Sequence, residues 1–433
     1  MDLDCTRKTR SPPDWSKLPQ ELLGFLTTKL VSADTIRFKA VCPSWNRAAT
    51  SYISSPSYNV MDQTPLLMIP SSDKQNDPHT RRFFSLAENK TFTLRDVFRD
   101  FPEAWCVGSS HGWLVLMDAT GKMDLFNPFS EDKIELPSFC TLPHFVRHET
   151  NPAFPRMKAL IMRTYITGKV VTSCNPSCNK DFAVVITHSL GGRLAFCKVG
   201  DNRCTWTDLG EESDHYSDIM FHNGQLYTAT SLGSVGVWDL TKSLPSKVLD
   251  LHPCCADGRE INKHFPYHKF DVQHYLVESS GDLLFVWRFI VKSIEVRTFP
   301  HKTEHFHIFR LSSDRKDWEK VEYLHDRALF LGGNHSMSVS TLIFPECQEN
   351  SIYFTDDNSY EMALKHHVDD KACAHDHGVY NLEGKVVEPV PGNQYIDKGT
   401  IYDPLPFWVC PYPWPSTVSY GAPSSSSPSG QQP

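Results

Sequence analysis

Across 433 residues there is no apolar run near the roughly 20 residues that a membrane-spanning helix needs. The first ten residues, MDLDCTRKTR, are polar and charged and lack the apolar stretch of a secretory signal. The chain is therefore expected in the cytosol or the nucleus, with no membrane partner. An excess of positive charge is missing as well: 43 Lys and Arg stand against 51 Asp and Glu, a net charge of −8. That argues against nucleic acid as a partner, because neutralising phosphates needs a basic surface. No P-loop, dinucleotide fingerprint, HExxH motif or G-x-S-x-G elbow occurs, so no cofactor is expected. The 13 cysteines are an odd count that fits no complete disulfide framework, and in a reducing compartment they are expected to stay mostly reduced. What remains is an ordinary globular composition, 40% hydrophobic and 22% charged, long enough for two or three domains.

The N-terminal stretch LPQELLGFLTTKLVSADTIRFKAVCPSWNRAA has helical periodicity. Pro19 suits a first helical turn, and Leu22, Leu26 and Leu30 recur every four residues, with Leu23 widening the stripe. Ser32 can cap a second helix, with Asp34 near its positive end and Ile36, Phe38 and Val41 as its apolar side. Pro43 ends that helix, and Pro43 or Ser44 opens a third carrying Trp45. Gly24 weakens the first helix by about 1 kcal/mol relative to Ala. Three helices this short cannot bury so many large side chains among themselves. Part of the apolar face must meet the rest of the chain or another protein.

The order Leu18-Pro19, Glu21, Leu22, Leu23, Leu30, Arg37, Val41-Cys42 and Trp45 resembles the F-box. The resemblance implies binding to a Skp-type adaptor and, through it, to a cullin. It places Leu18, Pro19, Leu22, Leu23, Leu26, Leu30 and Ile36 in adaptor contact, and Val41, Cys42 and Trp45 in the core that holds the helices together.

Beyond residue 56 the pattern changes to alternation and turns. GWLVLMDATGKMDLFN (112–127) and GQLYTATSLGSVGVWD (224–239) align without gaps, Gly112 on Gly224 and Gly121 on Gly233. Each reads as strand, glycine turn, strand. Further copies start at Gly192 (GRLAF) and at Gly281 (GDLLFVW, with FHIFRL as partner), and NSIYFTDD pairs with GVYNL. PLLMI with RRFFSL is a first copy. About six such units, each flanked by further strand-like runs, form the pattern of a β-propeller, with six blades chosen over five or seven.

The stretches GSSHGWLVLMD, LFNPFSEDKIELP, DIMFHNGQLY, LFLGGNHSMSVS, NSIYFTDD and DHGVYNLEG resemble plant F-box proteins with a C-terminal kelch-like domain of unknown function, over residues 15–390. The expected organisation is thus α+β and multidomain. Residues 1–14 are disordered, 15–55 form a three-helix F-box, and 56–403 form an all-β propeller. Residues 404–433 form an aromatic, Pro-rich and then disordered tail whose aromatic part, Phe407 to Trp414, either packs back on the propeller, the favoured reading, or offers an aromatic docking strip to a partner. By the resemblance, the protein is the non-catalytic substrate receptor of a cullin-type (SCF) ubiquitin ligase, the propeller holding an unknown target. The alternative is a propeller that regulates or sequesters a partner without its degradation.

Other candidate chemistry reads as structure. Ser110 and His111 in GSSHG are neighbours in a turn, whereas a nucleophile and its base must converge. KHHVDDKACAHDH (365–377) is rich in ligand-type residues but fits no zinc spacing, and it lies in an insertion read as a solvated loop. Cys174 and Cys178 in CNPSC lack two further ligands, and Cys254 and Cys255 are adjacent. VWDL (237–240) resembles a tryptophan–aspartate repeat but occurs once and is read as an outer blade strand. Asp356 and Asp357 are read as a turn. No metal site is expected.

Overall fold

The computed structural model describes residues 14–30, 32–53, 64–69, 80–94, 98–101, 104–118, 120–143, 169–189, 192–200, 204–209, 215–241, 245–252, 270–291, 302–314, 317–357, 376–392 and 406–410. The chain divides into two compact units, Met1–Asn59 with Pro413–Pro433, and Val60–Tyr412.

The first unit holds α1 (Gln20–Thr27), α2 (Ser32–Lys39) and α3 (Pro43–Ile53), preceded by a 3-10 turn at Trp15–Lys17. The proline signals act as read: Pro19 stands at the N-cap of α1, and Pro43 is the first residue of α3. Leu23, Phe38, Ala48 and Ala49 form its core, with Leu18, Leu30 and Trp45 packed against them. The Phe38 and Trp45 rings lie 4.4 Å apart, and the Trp45 indole N–H donates to the Trp15 carbonyl at 3.0 Å. The Gln20 amide donates to the Ser44 hydroxyl at 3.0 Å, tying α1 to the start of α3.

The second unit is a six-bladed β-propeller. Blade one contains β1 (Leu66–Ile69), β2 (Arg81–Ser85) and β3 (Lys90–Leu94). Blade two runs β4 (Trp105–Ser110), β5 (Trp113–Met117), β6 (Met123–Phe126) and β7 (Lys133–Leu136). Blade three is β8 (Val170–Thr172), β9 (Phe182–His188), β10 (Arg193–Val199) and β11 (Thr207–Asp208). Blade four is β12 (Tyr216–His222), β13 (Gln225–Thr230), β14 (Val235–Asp239) and β15 (Ser246–Leu251). Blade five is β16 (Phe270–Ser279), β17 (Asp282–Val291), β18 (Lys302–Leu311) and β19 (Trp318–Val321). Blade six has five strands, β20 (Arg327–Leu331), β21 (Met337–Ser340), β22 (Ser351–Phe354), β23 (Gly378–Asn381) and β24 (Val386–Glu388), with β21 on its inner edge and β20 parallel to β22. Finally β25 (Phe407–Val409) returns to blade one and pairs antiparallel with β1.

The alternating side chains of each blade fill two seams. In β1, Leu67 and Ile69 join the cluster shared with blade six, while Leu66 and Met68 join the cluster shared with blade two. Four further clusters fill the remaining seams in order round the ring. Sheets covered on both faces carry continuous apolar runs, and Trp113–Met117 is buried at every position. Three inner hairpins turn on a pair of residues at positive φ, His111-Gly112, Asn223-Gly224 and Ser280-Gly281. This is the type I′ geometry whose twist matches the flanking strands, and it explains why those glycines recur.

Arg193–Val199 is the third strand of its blade, and two readings need correction. The β8–β9 link is a long loop built on an Asn175 Asx turn, so the glycine moved to the β9–β10 turn. VWDL lies in β14, paired on both sides by β13 and β15, rather than in an outer strand. The propeller also runs past residue 403. Trp408 in β25 is buried against Phe330 (4.9 Å) and Tyr353 (6.0 Å) and locks blade one to blade six.

If β25 is the latch of the ring, Trp408→Ala should lower the unfolding free energy by about 3–5 kcal/mol in urea denaturation. Trp408→Phe should cost far less, because the indole N–H has no partner to lose. A loss below about 1 kcal/mol for the alanine variant would refute the latch.

Candidate functional site

In the helical unit, burial divides the residues singled out from the sequence. Leu23 is fully buried in the core, although it was grouped with the contact residues. Leu18 and Leu30 are half-buried against the same core, and Pro19 is exposed. Leu22 and Leu26 remain 52% and 40% exposed. Val41, grouped with the core, is 57% exposed, whereas Cys42 and Trp45 are half-buried. The Ile36 side chain lies outside the described residues. Phe25, which the sequence reading passed over, is 61% exposed. Leu22, Phe25 and Leu26 stand at i, i+3 and i+4, so the three share one face of α1. Trp15 adds an exposed indole at 62%. Spacing from Leu22 was the available signal for Phe25.

In the propeller, polar side chains converge on the axis. The β20–β21 turn, Gly332–Ser336, belongs to blade six yet reaches blades one, two and three. Asn334 donates to the Trp408 carbonyl and, at 2.8 Å, to the Ser109 hydroxyl. The His335 N–H donates to the Ser109 carbonyl at 3.4 Å, and its ring stacks on His111 at 5.9 Å. Ser336 accepts from Lys169 Nζ at 3.1 Å. Contacts with three other blades place this turn in the middle of the ring. Lys169, which leads into β8, pairs with Asp218 of β12 at 2.9 Å, and both are buried. Asp218 also accepts from the backbone N–H groups of Ile219 and Leu276, each at 2.7 Å. Burial pushes the Asp218 carboxyl up, while Lys169 and these amides pull it back.

A second buried network lies between blades five and six. Arg288 donates to the Asp376 carboxylate at 2.9 Å, the Tyr275 hydroxyl at 3.1 Å and the Thr355 carbonyl at 2.9 Å, with Asp357 at 3.4 Å. Burial works against its charge, but Tyr275, Asp357 and Asp376 outweigh it and hold the guanidinium protonated. Asp356 accepts the Asp376 N–H at 3.0 Å. The pair read as a simple turn is thus an anchor. Together with Asp376 it fixes both ends of the His- and Asp-rich insertion, most of which lies outside the described residues.

The other sequence candidates do not assemble a reactive centre. The Ser110 hydroxyl shares a hydrogen bond with Thr172 Oγ1 at 3.0 Å and accepts the Thr172 N–H at 3.1 Å, so it is held between blades two and three. His111 occupies the turn itself. Cys174 and Cys178 flank the Asn175 turn, and among the described residues no three His, Cys, Asp or Glu side chains are placed to hold a metal. Cys254 and Cys255 lie outside the described residues.

A propeller with this strand order and these inner turns matches one family model over residues 83–381, more than half of the chain. The chain belongs to the KIB1-4 beta-propeller family. The match omits β1 and β25, the two strands that close blade one. The chain is 24% identical to the F-box protein SKIP23 of Arabidopsis thaliana over 372 residues, covering 79% of this chain and 84% of that one. It is 25% identical to the Arabidopsis thaliana F-box protein At2g14290 over 403 residues, covering 88% and 95%. Among solved structures, the Cps50 (Swd1) beta-propeller domain of Myceliophteria thermophila is 11% identical and covers 56% of this chain and 67% of that one, with a TM-score of 0.30. A score that low carries no argument here.

Two outcomes follow from the axis. Lys169→Met strands a buried carboxylate and should cost about 3–5 kcal/mol in urea denaturation, part of it recovered when Asp218→Asn is added. A neutral single variant would refute the pairing. Acid should destabilise the propeller through the buried His274 and the half-buried His111 and His335. Burial holds His274 down at about 3, His335 at about 3 and His111 at about 4. The unfolded chain takes up these protons near pH 6.5, whereas the folded chain refuses them. The stabilisation is therefore complete above about pH 6.5 and is lost as pH falls toward about 4, by about 1.4 kcal/mol per pH unit for each ring. His274 stacks on Phe285 at 5.4 Å, and its Nδ1 has no partner. His274→Phe should keep stability at pH 7 and flatten the acid slope between pH 6.5 and 4. An unchanged slope would refute this.

Proposed function

We propose that this chain is the target-recognition subunit of a cullin-type ubiquitin ligase. The helical unit binds a Skp-type adaptor, and the propeller holds the protein to be modified. The carrying observation is the α1 face. Leu22, Phe25 and Leu26 stand exposed on a helix whose opposite side is filled by Leu23, in a chain whose relatives bear F-box names. An apolar stripe kept in water on so short a helix is costly unless a partner covers it. In this reading the chain performs no bond chemistry. It raises the effective concentration of a target beside the conjugating enzyme. The axial turn spends its polar groups on contacts with blades one, two and three, which favours the loops at the propeller's faces for target contact.

The test is a pull-down of the full chain beside the Leu22→Asp, Phe25→Asp double variant, read by mass spectrometry. Both substitutions lie on exposed positions, so thermal unfolding should be unchanged. Adaptor and cullin are expected with the wild type and lost, by at least tenfold, with the variant. Adaptor retained by the variant, or absent from both, would overturn the assignment. Targets that accumulate under proteasome inhibition support degradation; a bound partner that does not accumulate supports sequestration.

A further inference from the structure

A histidine pair stands on the side of blade five that faces blade four. Strand β18 carries His305 and His307 two residues apart, and side chains at i and i+2 of a strand share a face. The register agrees: His305 lies opposite Phe289 and His307 opposite Trp287 of β17, and both aromatic residues belong to the cluster in that seam. The two imidazole centroids are 5.3 Å apart, with the rings inclined at 52°. The His305 ring stacks on Phe289 at 4.4 Å, and His307 meets the same phenyl ring edge-on at 5.1 Å. Both histidines are half-buried, so one packed aromatic surface fixes the pair while leaving it within reach of solvent.

We propose that His305 and His307 form an open binding site for a divalent transition-metal cation of the zinc class. The spacing is the first reason. A metal–nitrogen bond of about 2.0–2.1 Å and a tetrahedral angle put two ligating imidazole centroids about 5 Å apart, the separation these rings already have. The second reason is the carboxylate beside His305. Glu304 Oε2 lies 3.6 Å from His305 Nδ1. A metal-ligating histidine commonly gives its other ring N–H to a carboxylate, which fixes the tautomer and makes the ligating nitrogen more basic. That assigns the proton to Nδ1 and the metal to Nε2. The third reason is charge state. Burial holds His307 down at about 4, with His305 and Lys320 adding to it, and burial also lowers His305. Both imidazoles are therefore neutral at pH 7, the form that ligates, and no proton has to be displaced. Lys320 and Lys385 oppose a cation here, whereas Glu304 and Glu322 favour one. Glu322 pairs with Lys320 at 2.7 Å, which offsets part of that opposition. Imidazole ligands select zinc-like cations over magnesium and calcium, which take oxygen. Two protein ligands are fewer than a closed structural zinc site uses, so water completes the shell and the metal can exchange.

The experiment uses the full chain, stripped of metal by a chelator, with zinc chloride as the probe. Diethyl pyrocarbonate, which modifies accessible imidazoles, is applied with and without equimolar zinc, and tryptic peptides are mapped by mass spectrometry. Cleavage after Lys302 and Arg310 places both histidines in one peptide, TEHFHIFR. Zinc should protect that peptide and leave the exposed His215 and His252 modified as before. In calorimetric titration, His305→Gln and His307→Gln should each weaken zinc binding by about tenfold or more, and the double variant should lose the site. Glu304 is 54% exposed, so Glu304→Ala should fold normally. It should weaken zinc by about tenfold, a readout that stands if the histidine variants fold poorly. Zinc held by the double variant at wild-type affinity would mean an adventitious site elsewhere, among the cysteines for example, and would overturn the proposal. Protection confined to other peptides, such as the one holding His366 and His367, would overturn it too. Wild-type affinity in Glu304→Ala would overturn the assignment of Nε2.

Discussion

Everything in the propeller turns about one buried charge pair, Lys169 with Asp218. Six sheets set side by side satisfy their apolar faces in the seams, but their inner strands deliver backbone and polar side chains to a crowded centre. An ammonium and a carboxylate removed from water there carry a penalty of several kcal/mol per ion, which their mutual attraction offsets only with good geometry and further hydrogen bonds. Both conditions are met. Lys169 belongs to blade three, Asp218 to blade four, the amide that Asp218 accepts to blade five, and the hydroxyl that Lys169 reaches to blade six. One interaction thus spans four blades. Apolar seams are tolerant of sliding, since many contacts of similar quality are available. A charge pair is not, and this one fixes the relative height of the blades it joins.

The two polar networks are not separate. The Lys169 ammonium lies over the Tyr275 ring at 5.2 Å, and the hydroxyl of the same tyrosine bonds to Arg288 and to Asp357 at 2.7 Å. A line of buried polar contacts therefore runs from the axis to the base of the insertion. The charges that set the ends of that insertion are thus linked, through Tyr275, to those at the centre of the ring. A change at the insertion's base would be felt first at Tyr275, whose burial holds its hydroxyl protonated.

Much of the architecture was legible from local signals. Glycine pairs that demand positive φ marked the inner turns, and continuous apolar runs marked strands covered on both faces. These signals are strong because they arise within a few residues. The third blade misled because its first hairpin is replaced by a longer loop, so its glycine punctuates the next turn along. The axial turn was invisible for a different reason. GGNHS reads as an ordinary loop, and nothing local says that it crosses the ring to Ser109 and Lys169. Asp357 and Asp376 gave no sign of their shared arginine, which lies far away in sequence. On the helical unit, the periodicity located the apolar face but could not say which leucine pointed inward. Leu22 and Leu23 are adjacent, and only packing on Phe38 and the two alanines of α3 separates them. Leu23 went inside, and Phe25 took a place on the outer stripe that the leucine count had hidden.

Strand β25 reaches blade one only after the other five blades have passed. Because β1 waits near the start of the propeller for a partner near its end, the ring stays open while the chain is being synthesised. Blades two to five can each gather their strands as these emerge, but the edge of β1 offers unpaired backbone until Phe407–Val409 arrives. That edge therefore stays unpaired through most of translation. Nascent chains that stall before this last strand expose a sticky sheet edge rather than a slightly shorter propeller.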